Sequence, residues 1–241
     1  VHYAIDAPAH GRYIGDIMKL ISCEQGSAAW FTARLGKPTA SGISSIITTE
    51  GCARKGTAPR RYMLELLGER LTRYPTQRVL TTAMQRGVDL EPRARAWYEV
   101  ARSVAVQRVG FITSDCGRWG CSPDGLLPDR GIEIKCPMEL GFVDVAESGW
   151  VPEDHFLQMQ FGMWVTGLKQ WDYVLFTDSR GLVPQIMTVV AESTLHERFA
   201  EVIPAFCDKL DEREKIMRQM GHGEIQEEVY IDDGKPLFDD E

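Results

Sequence analysis

Residues 121–137, CSPDGLLPDRGIEIKCP, constrain the chain more than any other stretch. Two turn signals, Pro123-Asp124-Gly125 and Pro128-Asp129-Arg130-Gly131, precede a run in which Ile132 and Ile134 alternate with Glu133 and Lys135. A period of two is a strand, so Glu133 and Lys135 project from one face and the isoleucines from the other. If Asp124 ends a neighbouring short strand, both carboxylates and the ammonium converge on a small volume. Such a volume suits Mg2+ or Mn2+, which take carboxylates, waters and substrate phosphates as ligands. Alternating charge on a strand also has a plainer reading, a solvated face.

The other segments read as scaffold. With 241 residues and 44% hydrophobic content, the chain can bury one good core, and a single α/β domain is expected. No apolar run approaches the roughly 20 residues of a membrane span. The start lacks the pattern of a signal peptide, which points to a soluble intracellular protein. Six cysteines form no CxxC pair, so neither zinc nor an iron-sulfur cluster is indicated, and the thiols are expected to be reduced and mostly core.

A net charge of −8 argues against nucleic acid at face value, but its distribution does not. Residues 54–108 carry twelve Lys/Arg, eleven of them Arg, against five Asp/Glu, whereas residues 192–241 carry six against fifteen. Arginine's planar fork suits phosphate oxygens.

Helices are expected over residues 26–35, with Trp30 and Arg34 on one face, and from Thr39, whose first turn with Ser41 would offer an anion site. Residues 51–57 read as a mobile basic loop, and residues 59–71 as a helix. A further helix runs over residues 82–102, and Pro92 should kink it or make it restart at Glu91. Residues 103–113 look like a strand. Past Pro137 come a short helix through Phe142 and Val145, then one over residues 153–168 that carries Gln158 on a face distinct from its apolar side. A hairpin over residues 171–190 and a helix over 192–220, broken at Pro204, end the patterned chain. Residues 221–241 form an acidic tail.

Asp124 followed by Glu133-Ile134-Lys135 resembles the PD-(D/E)xK nuclease signature. The whole block, with EQGSAAWFTARLGKPTAS, RGVDLEP, LQMQFGMWVTG and the VIPAFCDKL region in order, is similar to the phage lambda exonuclease family of viral recombination nucleases (YqaJ-type). The resemblance implies a restriction-endonuclease-like core, a central mixed sheet flanked by helices, over about residues 22–217. Residues 1–21 would then be an N-terminal extension. It makes Glu91, Asp124, Glu133 and the carbonyl of Ile134 ligands of two Mg2+ (Mn2+ substituting), Lys135 the catalytic lysine, and Gln158 a neighbour of the attacking water. Arg34, Ser41 and Ser122, with Trp30 beside them, match positions that hold a terminal 5′-phosphate. His155 stands where the family has an aromatic residue, and the residues that wedge the duplex open have no match.

The same resemblance implies a 5′ to 3′ double-strand DNA exonuclease in the cytoplasm of a bacterial or phage-infected cell. It would act as a homotrimer around duplex DNA and work with a single-strand annealing protein. Alternatives are an endonuclease or single-strand nuclease on the same fold, and a non-catalytic DNA-binding subunit. The chemistry also follows from charge: three carboxylates against two divalent cations leave the site slightly positive, and without metal the carboxylates keep Lys135 charged.

Overall fold

A computed structural model describes residues 18–76 and 81–224. In chain order these form β1 (Met18–Ile21), α1 (Ala28–Arg34), a 3-10 helix (Ala40–Ser45), α2 (Thr57–Thr72), α3 (Thr82–Arg102) and the strands β2 (Phe111–Ser114), β3 (Gly120–Cys121), β4 (Gly125–Leu126) and β5 (Arg130–Lys135). Then come α4 (Glu139–Ser148), α5 (Glu153–Thr166), β6 (Gln170–Leu175), β7 (Gln185–Val190) and α6 (Ser193–Gln219). Most of the N-terminal extension and the acidic tail beyond Glu224 lie outside the described residues.

The mixed sheet is the four-stranded one, β4-β5-β6-β7, with β5 and β6 parallel and the outer pairs antiparallel. Parallel neighbours need a crossover, and α4 and α5 supply it. A second, antiparallel sheet runs β1-β2-β3. A bridge between Gln107 and Leu126 ties the segment before β2 to β4.

Strand β5 is buried on both faces. Ile132 and Ile134 pack with Leu90, Ala94 and Tyr98 of α3 and with Val174 and Phe176. Its other face meets α5, which from Leu157 onward is buried nearly all round, as befits a helix lodged in the core. Trp171 of β6 fits between the two layers because Gly131 and Gly162 make room. A Cβ would stand 2.4 Å from the indole at Gly131 and 2.7 Å at Gly162.

Local chemistry sets the helix ends. Ser27 Oγ accepts the Trp30 N–H at 3.2 Å and Thr81 Oγ1 the Met84 N–H at 3.2 Å, capping α1 and α3. Helix α5 stops at Gly167 in the left-handed region, φ 71°.

Several sequence expectations are corrected. Helix α3 neither breaks nor restarts at Pro92, and α6 runs through Pro204. The carbonyls deprived of a donor belong to Val88 and Ala200, both on exposed faces where water can bond them. The turn from Thr39 is a six-residue 3-10 helix without a side-chain cap, so an α-helical anion site does not form there. Residues 104–110 form no strand; only Gln107 makes a bridge. The loop over residues 51–57 is tied down, with Arg54 N–H donating to Ile46 O at 2.8 Å and Gly51 O accepting from Arg198 at 3.0 Å. All six thiols are free, but only Cys121, Cys136 and Cys207 are buried. No helix among the described residues is long and apolar enough to cross a membrane.

Much of the basic block pairs with protein acids rather than standing open to phosphate. Arg70 bonds Asp211 at 2.6 Å and Glu214 at 3.1 Å, both on α6, while Arg86 and Arg93 clamp Asp178 at 2.9 and 2.8 Å. Another buried network surrounds Asp172 of β6, which is fully buried. It accepts from Tyr98 Oη at 2.7 Å and Thr188 Oγ1 at 2.6 Å, with Arg102 and Arg130 at 3.4 and 3.5 Å.

Candidate active site

With Ile132 and Ile134 committed to α3, the pleat turns Glu133 and Lys135 toward α5. Glu133 is only 3% exposed, which rules out the solvated-face reading. Its Oε1 accepts from Lys135 Nζ at 2.6 Å and from Gln158 Nε2 at 2.7 Å, and Lys135 Nζ stands 3.4 Å from Gln158 Oε1. Strand and helix thus close a three-membered ring of carboxylate, ammonium and amide.

Asp124 precedes β4, and its backbone N–H donates to Ile132 O at 3.1 Å. Its Oδ2 accepts the Ile134 N–H at 2.6 Å. Glu91 comes from α3, one turn before Arg95, with which it pairs; Arg95 Nε also donates to the Asp124 carbonyl at 3.2 Å. Glu91 and Asp124 line one cavity of about 280 Å³ with Gln25, Arg95 and Arg108. Gln25 Nε2 donates to Val109 O at 2.9 Å and Pro123 O at 2.8 Å, pinning the turn that carries Asp124. Neither Gln25 nor Arg95 is singled out by the sequence, although Gln25 lies inside the EQGSAAWFTARLGKPTAS segment and Arg95 three residues past RGVDLEP.

Burial raises the Asp124 carboxyl well above the usual carboxylate range, and the charges of Glu133 and Glu91 push it the same way. Burial alone would lower the Lys135 ammonium, but Glu133, Asp124 and Glu91 overcome it and hold the lysine above its ordinary value. Lys135 is therefore charged in the cation-free protein, as the charge count expects. His155, one turn before Gln158, stacks on Tyr173 and lies 3.0 Å from its hydroxyl. Burial and the charge of Lys135 lower its pKa to about 4, so the imidazole is neutral near pH 7.

Among the described residues no three His, Cys, Asp or Glu side chains are gathered as a ready metal site. Glu91 faces Arg95, Glu133 faces Lys135 and Gln158, and Asp124 faces a backbone donor. The donor chemistry nonetheless fits a hard divalent cation. All the candidate ligands are oxygens, and a cation would offset both the burial of Asp124 and the charges of Glu133 and Glu91 beside it.

A stability prediction follows from the sign of that shift. Without cation, folded Asp124 keeps a proton that the unfolded chain releases above about pH 3.9, so stability falls as pH rises from there to the raised value. Asp124→Asn is expected to raise Tm by a few degrees at pH 8 in EDTA, at about 2–4 °C per kcal/mol, with little change near pH 4. Thermal unfolding at the two pH values checks this; a variant less stable than the parent at pH 8 would contradict it.

The second cluster lies beside the first, because Ser122 is two residues from Asp124. Trp30 Nε1 donates to Ser122 Oγ at 2.8 Å. Arg34 reaches Ser122 Oγ, Thr39 Oγ1 and Ser41 Oγ, each at 3.4 Å, the long limit of such bonds, and its guanidinium lies 4.0 Å from the Trp30 ring centroid. All four residues expected at a terminal phosphate therefore meet, and Thr39 joins them. A guanidinium held over an indole among three hydroxyls offers a tetrahedral anion directional donors.

A family model described as a YqaJ-like viral recombinase domain matches residues 29–169. No curated protein matches the chain. Among solved structures, an alkaline exonuclease (LHK-Exo) from Laribacter hongkongensis is 30% identical, covering 81% of this chain and 98% of that one, with a TM-score of 0.73. The same protein in complex with dAMP gives 32% and 0.72. A phage related exonuclease from Haemophilus somnus 129PT, 18% identical over 76% of this chain and 96% of that one, is alike in fold, with a TM-score of 0.58.

Proposed function

The chain belongs to the YqaJ-like viral recombinase domain family and is a DNA nuclease, and from that premise we propose a metal-dependent 5′ to 3′ exonuclease acting on double-stranded DNA ends. It degrades the strand that carries a 5′-phosphate and leaves 3′ single-stranded DNA for recombination by strand annealing. The observation that carries this reading is the adjacency of two sites: the Arg34–Ser41–Ser122 cluster and the Asp124–Glu133–Lys135 cluster are joined by the short turn between Ser122 and Asp124. An anion held at the first places the next phosphodiester toward the second. In the same proposal the enzyme acts as a homotrimer around duplex DNA with a single-strand annealing partner.

Asp124, Glu133 and the carbonyl of Ile134 would hold Mg2+ or Mn2+, and Glu91 would join them on exchanging Arg95 for a cation. When bound there, such cations would supply charge neutralisation at the phosphodiester and acidify a water toward neutrality. Lys135, held 2.6 Å from Glu133 beside the site, orients the attacking water or a phosphoryl oxygen and fixes its direction of approach. Gln158 holds Glu133 with its amide N–H and presents its carbonyl oxygen to Lys135, so both side chains keep one orientation. The stack of His155 on Tyr173 closes the α5 side of the site with groups that are neutral near pH 7.

The deciding experiment follows a linear duplex labelled on either strand, with 5′-phosphate or 5′-hydroxyl ends, in Mg2+ and in EDTA, beside a covalently closed circle. Loss of the phosphorylated strand from its 5′ end, in Mg2+ only and with the circle intact, is expected. Cutting of the circle would favour an endonuclease, and binding without cutting a non-catalytic subunit. In the same assay Arg34→Ala is expected to lower kcat/KM on phosphorylated ends about 10- to 100-fold, the worth of one or two charge-assisted hydrogen bonds, with a much smaller effect on hydroxyl ends. Equal losses on both would make Arg34 structural.

A further inference from the structure

A cleft of about 1150 Å³ lies away from the carboxylates, between α2 and α6. Its floor is apolar: Met63, Leu67 and Phe206 are buried, and Leu64 and Ile216 stand exposed along it. The rim is cationic, with Arg54, Lys55, Arg60, Lys209 and Arg213 against Glu201 and Glu212. Glu201 is already paired with Arg198, and Arg54 Nε is buried without a hydrogen-bond partner among the described residues. A phosphate backbone would use such a rim and leave the floor empty. A peptide whose bulky apolar side chains are flanked by carboxylates would use both.

Residues 225–241, IQEEVYIDDGKPLFDDE, have that pattern. Val229-Tyr230-Ile231 sits between two acidic pairs, Leu237-Phe238 precedes a third acidic run, and seven acidic residues oppose one lysine. The described chain ends beside the cleft. Gly223 O accepts from Arg218 at 3.3 Å, a Cβ on Gly223 would lie 3.0 Å from Leu71 Cδ2, and Ile216 and Met217 line the cleft itself. Seventeen extended residues reach on the order of 55 Å, whereas the stretch of α6 along the cleft is about 24 Å long.

We propose that this cleft is the docking site of the chain's own acidic C-terminal segment. Val229-Tyr230-Ile231 covers the apolar floor, and the flanking carboxylates meet Arg60, Lys209 and Arg213. Docked there, the segment shields cations that would otherwise attract DNA, so the chain's most acidic stretch tempers its own basic surface. The inference does not depend on the exonuclease reading, because it concerns a cleft apart from the nuclease site.

The test uses the full chain with Tyr230 replaced by p-benzoylphenylalanine, irradiated at low micromolar concentration and mapped by mass spectrometry. Cross-links within one chain to residues of α2 or α6 that line the cleft are expected. Their yield should fall at least fivefold in the triple variant Arg60→Glu, Lys209→Glu, Arg213→Glu. Should that variant fail to fold, Glu227→Gln, Glu228→Gln, Asp232→Asn, Asp233→Asn alters only the segment and is expected to give the same loss. Cross-links elsewhere, a yield indifferent to the charge changes, or links joining two copies would each overturn the proposal. So would a cleft occupied by DNA instead, seen as weakened duplex binding in the triple variant with no cleft cross-link in the parent.

Discussion

Lys135→Ala is expected to slow duplex degradation by about 10²- to 10⁴-fold, the range that a positioned proton donor or acceptor contributes, while duplex binding changes little. The ammonium touches Glu133 at 2.6 Å and faces Gln158, so its removal takes away the donor to the reacting groups and leaves the carboxylates in place. Because the variant removes a positive charge 2.6 Å from Glu133, it should bind Mg2+ at least as tightly as the parent. Single-turnover degradation at saturating enzyme, with binding measured by anisotropy in Ca2+, separates the two effects. A rate within a few-fold of the parent would remove Lys135 from the chemistry. A rate lost together with duplex binding would assign it to DNA contact instead.

Asp172→Ala is expected to have the largest effect on stability, about 3–5 kcal/mol, the usual cost of breaking a buried charged network from one side. Tyr98 and Thr188 would lose the acceptor for their hydroxyl protons inside the core, and Arg102 and Arg130 their counter-charge at its edge. In a chain of this size the loss corresponds to a fall in Tm on the order of 10 °C. Denaturant and thermal unfolding both measure it. Double mutation with Tyr98→Phe should be clearly less than additive, because the two residues share one bond. A fall of under 1 kcal/mol would mean that water replaces the carboxylate there.

The parts of this molecule that were legible in its sequence are those fixed by neighbours along the chain. Alternation set the faces of β5, and the patterned run over residues 82–102 set the extent of α3. Trp30 and Arg34 share a helix that Ser27 caps, and Thr39 and Ser41 follow a few residues on, whereas Ser122 arrives from far along the chain and was legible only through the family resemblance. What escaped the sequence depends on distant partners. Arg70 reads as part of a phosphate-seeking block until α6 brings Asp211 and Glu214 to it. Asp172 reads as one acidic residue in a strand, because nothing local announces that Tyr98 and Arg102 will come from α3 and Thr188 from β7. Pro92 and Pro204 misled for a related reason. A proline's cost is local, but helix packing and solvated carbonyls on the exposed face outweigh it. Arg95 and Gln25 stayed hidden because a side chain that braces a turn, here the one carrying Asp124, has no distinctive spacing of its own.

Trp171 acts as a gauge block in this architecture. Gly131 lies on the strand that carries Glu133, and Gly162 lies one turn after Gln158 on α5. The same indole touches both. The gap across which Glu133 and Gln158 join hands is therefore cut to the size of one aromatic ring, and the nuclease site inherits its tolerance from a side chain that takes no part in the chemistry.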